Sequence, residues 1–324
     1  TYLKVYFLAS PFIILFNTGS NALRAYGDSR SPLFVLLISG IFNIGLNLLL
    51  VIVAKMDVLG VGIATAVSNA VSAVLIYLVL IFKKDNYVCF SFHGFKVYKD
   101  ESLEIIKHGI FSGLQSVFFS ISNVIVQASV NVLGTTTIAA NTACMNLESY
   151  IYFFLNAIGT GVLSMVGQNY GAKKYANVKK ILKYSFILET AAGILVGGLI
   201  ILLREPLIKA LLNENEAGFD EILKISSMRL AIICSTHFID GYMECSSAYL
   251  RGLKKPVPPT IITLTGSVIL RIIFLNTLFN LDYFHSYLWV TLLYPITWAL
   301  TSLAYCVADT YYTSKLLHNW STRS

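Results

Sequence analysis

Charge is scarce in this sequence. Only 13% of its 324 residues are Asp, Glu, Lys or Arg, and 56% are hydrophobic. That is about half the charged share of an ordinary soluble domain and excludes a soluble globular enzyme. The five cysteines (Cys89, Cys144, Cys234, Cys245, Cys306) form no C-x-x-C pair and have no His at metal-ligand spacing. Neither a disulfide framework nor a metal site is supported, and they read as packing residues. No G-x-x-x-x-G-K-[ST] run is present, so direct nucleotide drive has no residues to run on. H-E-x-x-H, G-x-S-x-G and paired span aspartates of the Y-D…G-x-G-D form are also missing, which argues against an intramembrane enzyme. The formal charge of +7 could suggest nucleic acid. Basic loops between apolar spans are, however, the ordinary way a membrane protein fixes its orientation, so no nucleic-acid partner is expected.

What is abundant is apolar runs near twenty residues long, the length that crosses a ~30 Å hydrocarbon core as a helix. They fall near 2–22, 33–54, 58–82, 104–132, 137–167, 181–203, 222–250, 258–279 and 286–314. The predicted fold is an all-α membrane bundle of about nine transmembrane helices in contact with the lipid bilayer. Every second connection is rich in Lys and Arg: the segments 24–30, 83–107, 168–183, 251–255 and 315–323 hold 17 of the 24. Positive-inside bias makes that side cytoplasmic, C-terminus included, in a multi-pass protein of the plasma membrane. Gly167 and Gly171 are expected to turn the chain out of the fifth span. Residues 204–221 read as a short interfacial helix on the outer side.

Leu23-Arg24-Ala25 followed by Pro32 recurs as Leu250-Arg251-Gly252 followed by Pro259, at an offset of 227 residues and at the same face of the membrane. Such a parallel repeat fits two equivalent halves related by an axis along the membrane normal. It divides the chain into a partial N-terminal lobe of three spans (1–84), a cytoplasmic linker (85–102, with Phe90, Phe92, Phe95 and Tyr98) and a six-span C-terminal lobe (103–324). By the same logic about 120 further residues, three spans, are expected before residue 1.

Three segments resemble the multidrug and toxic compound extrusion (MATE) family. Leu23-Arg24-Ala25-Tyr26-Gly27-Asp28 up to Pro32 is similar to its L-R-A-x-G-D-x-x-x-P loop, and Asn43-Ile44 with Asn47 to the N-I-x-x-D that follows. Gly167-Gln168-Asn169-Tyr170-Gly171-Ala172-Lys173-Lys174 is similar to G-Q-N-x-G-A-[KR]-[KR], and Leu250-Arg251-Gly252 up to Pro259 resembles the second-lobe counterpart of the first segment. Asn47 stands where the family usually has Asp, and Lys254-Lys255 where a Gly-containing turn is usual. The resemblance implies spans four to twelve of a twelve-span exporter with two six-span lobes. It would be a monomer without a bound cofactor, driven by Na⁺ or H⁺ and moving amphipathic or cationic compounds outward. Flippases for lipid-linked oligosaccharides share the broader architecture; they would be expected to show a cationic central cavity, and Arg271 reads as almost the lone mid-span cation.

Ionisable groups inside spans default to functional hypotheses. Here they are Glu148, Glu189, His237, Asp240, Glu244, Arg271 and Asp309. Asp240 and Glu244 lie eleven and seven residues before Arg251, hence ~16 and ~10 Å deep, on one helical face. Two carboxylates one turn apart cannot both ionise cheaply, which suits a proton carrier or a Na⁺ site; satisfaction by Arg271 or His237 is the structural alternative. In one branch of the family a cation ligand lies eleven residues before this Leu-Arg, where Asp240 stands. The branch's aromatic four residues earlier is Thr236 here, and its acidic partner is Phe119. Arg271, ~18 Å deep on the next span, reads as a structural or counter-ion group. Asp309 reads as an interfacial residue of no special role. Gln115, Asn123, Gln127 and Asn131 form a stripe that either lines a substrate cavity or hydrogen-bonds neighbouring helices. Phe118 and Phe119 are aromatic cavity candidates for apolar cations.

Overall fold

Hydrocarbon offers backbone amides no water, so a chain crossing it satisfies them within helices or closed barrels. The computed structural model, which describes residues 2–83, 90, 96–212 and 218–321, is helical, with no strand among the described residues. Most of the expected linker, with Cys89, Phe92 and Phe95, lies outside the described residues. So do 213–217 of the expected interfacial segment; its first part is the short helix Arg204–Leu211. Among the described residues, eight helical segments are long and apolar enough to cross a membrane. The first expected span is helical over Tyr2–Tyr26 but is not among the eight, because Asn17, Thr18, Ser20 and Asn21 dilute its apolar run. The chain divides into two compact units, Thr1–Tyr98 and Lys99–Ser324.

In the first unit, α1 (Tyr2–Tyr26) and α2 (Arg30–Asn47) both pack on α3 (Asp57–Phe82). Phe16, Leu23, Val35, Ala73, Ile76 and Leu80 form its core. A π-helical turn, Leu48–Val53, extends α2 directly after Asn47. Asp28 joins all three helices. Its carboxylate accepts the Ser31 N–H (3.0 Å) and hydroxyl (2.7 Å) at the start of α2, and the Lys83 ammonium (2.9 Å) at the end of α3. Burial opposes charge on Asp28, but the hydrogen bonds from Lys83 and Ser31 outweigh it and hold its pKa at about 2.

The second unit is built around α8 (Phe219–Gly252), which packs against α5 (Thr135–Gly171), α6 (Tyr175–Leu202) and α11 (Tyr287–Ser321). α4 (Lys99–Val132) begins within the expected linker. α7 is the Arg204–Leu211 helix. α9 (Val257–Thr263) and α10 (Leu270–Asn276) are one span interrupted by a π-helical turn, Leu264–Ile269. Glycines let α8 approach its neighbours. A Cβ on Gly193 of α6 would lie 2.7 Å from the Phe238 Cβ, and one on Gly197 would meet the Cys234 carbonyl. This is the small-residue contact by which membrane helices associate without a hydrophobic drive between them. Large apolar side chains such as Phe153, Leu195, Leu199 and Val307 stay exposed, as a lipid-facing surface requires.

The repeated Leu-Arg segments end their helices with the same geometry. Gly27 N–H bonds the Arg24 carbonyl and Asp28 N–H the Leu23 carbonyl; Lys254 N–H bonds Arg251 and Lys255 N–H bonds Leu250, all at 2.9–3.0 Å. Both are Schellman caps, which need a left-handed residue after the helix. Gly27 supplies it in the first copy (φ 101°), Lys254 in the second (φ 60°). A third such cap closes α5, where Lys173 (φ 58°) is the left-handed residue. The expectation for Gly167 and Gly171 is therefore corrected: both belong to α5, and the turn falls two residues beyond Gly171. Gly252 serves close packing instead, since its Cβ would lie 2.8 Å from the Val166 Cβ.

A left-handed L-residue costs roughly 1–2 kcal/mol, and glycine's extra chain entropy roughly 0.5–1. Lys173→Gly should thus stabilise the second unit by about 0.5–1 kcal/mol, read as a higher Tm in detergent; a lower Tm would contradict the cap assignment. Gly197→Val should cost about 1–3 kcal/mol by forcing α6 off α8. Gly198→Ala, next to it in open space, should leave Tm within error or raise it slightly.

Candidate functional site

α4, α5, α8, α9 and α11 enclose a cavity of about 640 Å³ in the second unit. α8 carries most of its charge: Arg229, His237, Asp240, Glu244 and Arg251 all line it, with Glu148 facing them from α5. Spacings of 3, 4, 7, 8 and 11 keep these α8 residues on one side of the helix.

The carboxylates are held very differently. Glu148 is gripped by Arg229 through two parallel bonds, Nε to Oε1 at 2.7 Å and Nη2 to Oε2 at 2.8 Å. The Arg229 guanidinium, 2% exposed, lies 5.2 Å from the Tyr294 ring centre and 6.0 Å from that of Tyr287. Asp240 has, among the described residues, only the His237 Nε2 at ion-pair distance, 3.8 Å away. Glu244 has no Lys or Arg at ion-pair distance among the described residues; Gly159 makes room for it, since a Cβ there would lie 2.8 Å from the Glu244 Cγ. Arg251 is spent on neutral partners, the Ser247 hydroxyl (2.6 Å) and the Gln115 amide oxygen (3.2 Å). The Gln115 amide nitrogen donates onward to Thr263, whose hydroxyl meets that of Tyr305. One acid is thus neutralised inside the cavity and two are left open to it.

The cavity brings together Asp240, Glu244, Gln115, Phe119 and Asn123. Phe118 and Gln127 are not among its lining residues. The polar stripe on α4 splits: Gln115 and Asn123 face the cavity, while Gln127 donates to Asn131 and accepts from Asn141 (both 2.9 Å), which in turn accepts from Tyr287 (3.0 Å). Arg271 does not form the ion pair with Asp240 that was the structural alternative. It is fully buried behind Phe119 and Tyr294, with its Cζ 5.5 and 4.4 Å from their ring centres, and among the described residues it hydrogen-bonds only Thr297. Glu189 is fully buried outside the cavity, against Gly241, and accepts the Cys245 thiol at 3.1 Å. Asp309, read as an interfacial residue, is 4% exposed, because α11 backs onto α8 there through the 2.6 Å Tyr249–Thr313 bond.

Arg229 was not singled out in the sequence; it stands eleven residues before Asp240, toward the N-terminal end of its span, so Arg271 keeps its place as the mid-span cation. Arg229 lies inside the 222–250 run, so it was visible as a basic residue within a span. Its partner is 81 positions away, which no local spacing rule connects.

Fold and cavity together define a multi-pass α-helical membrane protein with a charged pocket between its helices. The MatE family model matches residues 112–276, just over half of the chain, and the chain belongs to this family. It is 24% identical over 270 residues to the probable multidrug resistance protein YoeA of Bacillus subtilis, covering 81% of this chain and 57% of YoeA. It is 25% identical over 282 residues to the multidrug export protein MepA of Staphylococcus haemolyticus, covering 86% of this chain and 61% of MepA. The chain therefore spans less than two thirds of the length of these relatives. A crystal structure of MATE in complex with MaL6 superposes with a TM-score of 0.88 at 17% identity, covering 98% of this chain and 70% of that one. An outward-facing MATE family transporter of the MOP superfamily gives 0.87 at 19%, again with 98% and 70% covered.

A buried cation without an ion pair does not hold a fold together, so Arg271→Met should leave Tm unchanged or raise it. A loss of about 3–5 kcal/mol that disappears in the Asp240→Asn background would show that Arg271 and Asp240 form an ion pair.

Proposed function

We propose that this protein is a secondary transporter that exports amphipathic or cationic compounds across the cytoplasmic membrane in exchange for Na⁺ or H⁺. Asp240 and Glu244 bind the coupling ion. The observation that carries this reading is the unequal treatment of the cavity's acids: Glu148 has a bidentate arginine, whereas Asp240 and Glu244 have none. Carboxylates without a cation in a low-dielectric cavity draw in a proton or a small cation. A substrate cation competes for the same charge, and that competition is what couples the two fluxes. Gln115, Phe119 and Asn123 shape the substrate side of the pocket, with Trp298 and Tyr152 as further aromatic surface. The names of YoeA and MepA, which refer to multidrug resistance and export, support the substrate class. Residues 103–324 act as a six-span lobe, 1–84 as part of a second lobe, and 85–102 as a cytoplasmic linker; the transporter works as a monomer with its C-terminus inside.

A lipid-linked oligosaccharide flippase is the alternative. Arg229 and Arg251 in the cavity wall give it more cations than the sequence suggested. Arg229 is neutralised by Glu148, however, and the wall as a whole carries more acid than base, which is poor for a phosphate-bearing lipid.

Asp240→Asn keeps shape and removes charge. In proteoliposomes it should abolish Na⁺- or H⁺-driven efflux of a cationic dye with Tm unchanged, and Glu244→Gln should shift the pH dependence of coupling. Gradient-driven efflux at the wild-type rate in Asp240→Asn would remove this residue from the mechanism.

A further inference from the structure

The Glu148–Arg229 pair has no part in the coupling site proposed above, yet both residues line the same cavity. Glu148 keeps 12% of its side chain exposed while Arg229 keeps 2%: the acid reaches the cavity surface more than the arginine that grips it. Arg229 is fixed from other directions too, with Tyr287 and Tyr294 presenting ring faces to it. The fork of a guanidinium matches a carboxylate in a way an ammonium does not. Asp240 is eleven residues farther along α8, ~16 Å at the helical rise. The cavity therefore has two acidic stations, one at Asp240 and Glu244 and one at Glu148.

We propose that Arg229 is a resident cation that fills the second station, so that Glu148 is withheld from substrate and the cavity accepts one positive charge at a time. The lining charges agree. Once the coupling ion has left, three ionised acids, Glu148, Asp240 and Glu244, face two arginines, Arg229 and Arg251, which leaves a single net negative charge for an incoming cation to neutralise. Arg229 is thereby a specificity-determining residue: removing it frees Glu148 and gives an extended dication a second anionic partner at the far end of the pocket. This inference rests on the reading of the cavity as the substrate site.

The test is equilibrium binding to the purified protein of two probes, the monovalent tetraphenylphosphonium and a bis-quaternary ammonium whose flexible linker lets its charges lie up to ~16 Å apart, the length of eleven residues of helix. Wild type should gain nothing from the second charge. Arg229→Gln should favour the dication over the monocation by about tenfold relative to wild type, equivalent to ~1.4 kcal/mol, and Glu148→Gln/Arg229→Gln should return to the wild-type ratio. An unchanged ratio in Arg229→Gln, or a shift that survives in the double variant, overturns the proposal. Should Arg229→Gln not fold, Glu148→Gln alone reads the pair from the other side. It leaves Arg229 unpaired in the cavity and should weaken tetraphenylphosphonium binding about tenfold while admitting tetraphenylborate, an anion of the same shape; unaltered binding of both probes overturns the proposal. Wild type binding neither cation would instead overturn the substrate-site reading on which the proposal stands.

Discussion

A helix that crosses hydrocarbon satisfies its own backbone but leaves each polar side chain to find a partner inside the protein. That constraint organises the second unit. α8 carries Arg229, His237, Asp240, Glu244 and Arg251 along one side, and the surrounding helices close around them as the wall of one cavity. Its other side is bought close to α6 by Gly193 and Gly197, so the polar side has a fixed back. The π-helical turn before Arg271 belongs to the same scheme. It lies where Gly266 meets Thr301 of α11, next to the residue whose guanidinium is stacked behind Phe119 and Tyr294.

Within the cavity, pairing decides chemistry. A bidentate guanidinium turns Glu148 into a neutral unit, strongly hydrogen-bonded and shielded by two tyrosine rings. Among the described residues Asp240 has a distant imidazole, Glu244 has no basic side chain at ion-pair distance, and both face the cavity. The same residue type is thereby paired at one end of the pocket and without an arginine at the other, and the difference lies in which helix faces it.

Much of this was legible in the sequence. Apolar run length gave the spans, and the i,i+4 spacing put Asp240 and Glu244 on one face, where they are. The Leu-Arg repeat located two helix ends that share one hydrogen-bonding pattern. Its limit was the left-handed residue. Lys173 and Lys254 adopt a conformation that composition rules assign to glycine, because the cap's hydrogen bonds and the packing of the helix ends hold them there. The α4 stripe was legible as a polar face but not as a division of labour: Gln127 is drawn off by Asn131 and Asn141, positions whose nearness depends on how α4 meets α5. Tertiary pairing was the least visible level. Glu148 and Arg229 each appear as one polar residue in an apolar run, and only the fold makes them a pair.

The central claim is that Asp240 and Glu244, and not Glu148, are the acids that change state during the cycle. Infrared difference spectroscopy of the protonated-carboxyl band, recorded on the purified protein across a pH step and on Na⁺ addition, measures that directly. The account predicts a band that persists in Glu148→Gln and disappears in Asp240→Asn/Glu244→Gln. A band that survives the double substitution and vanishes in Glu148→Gln would contradict it.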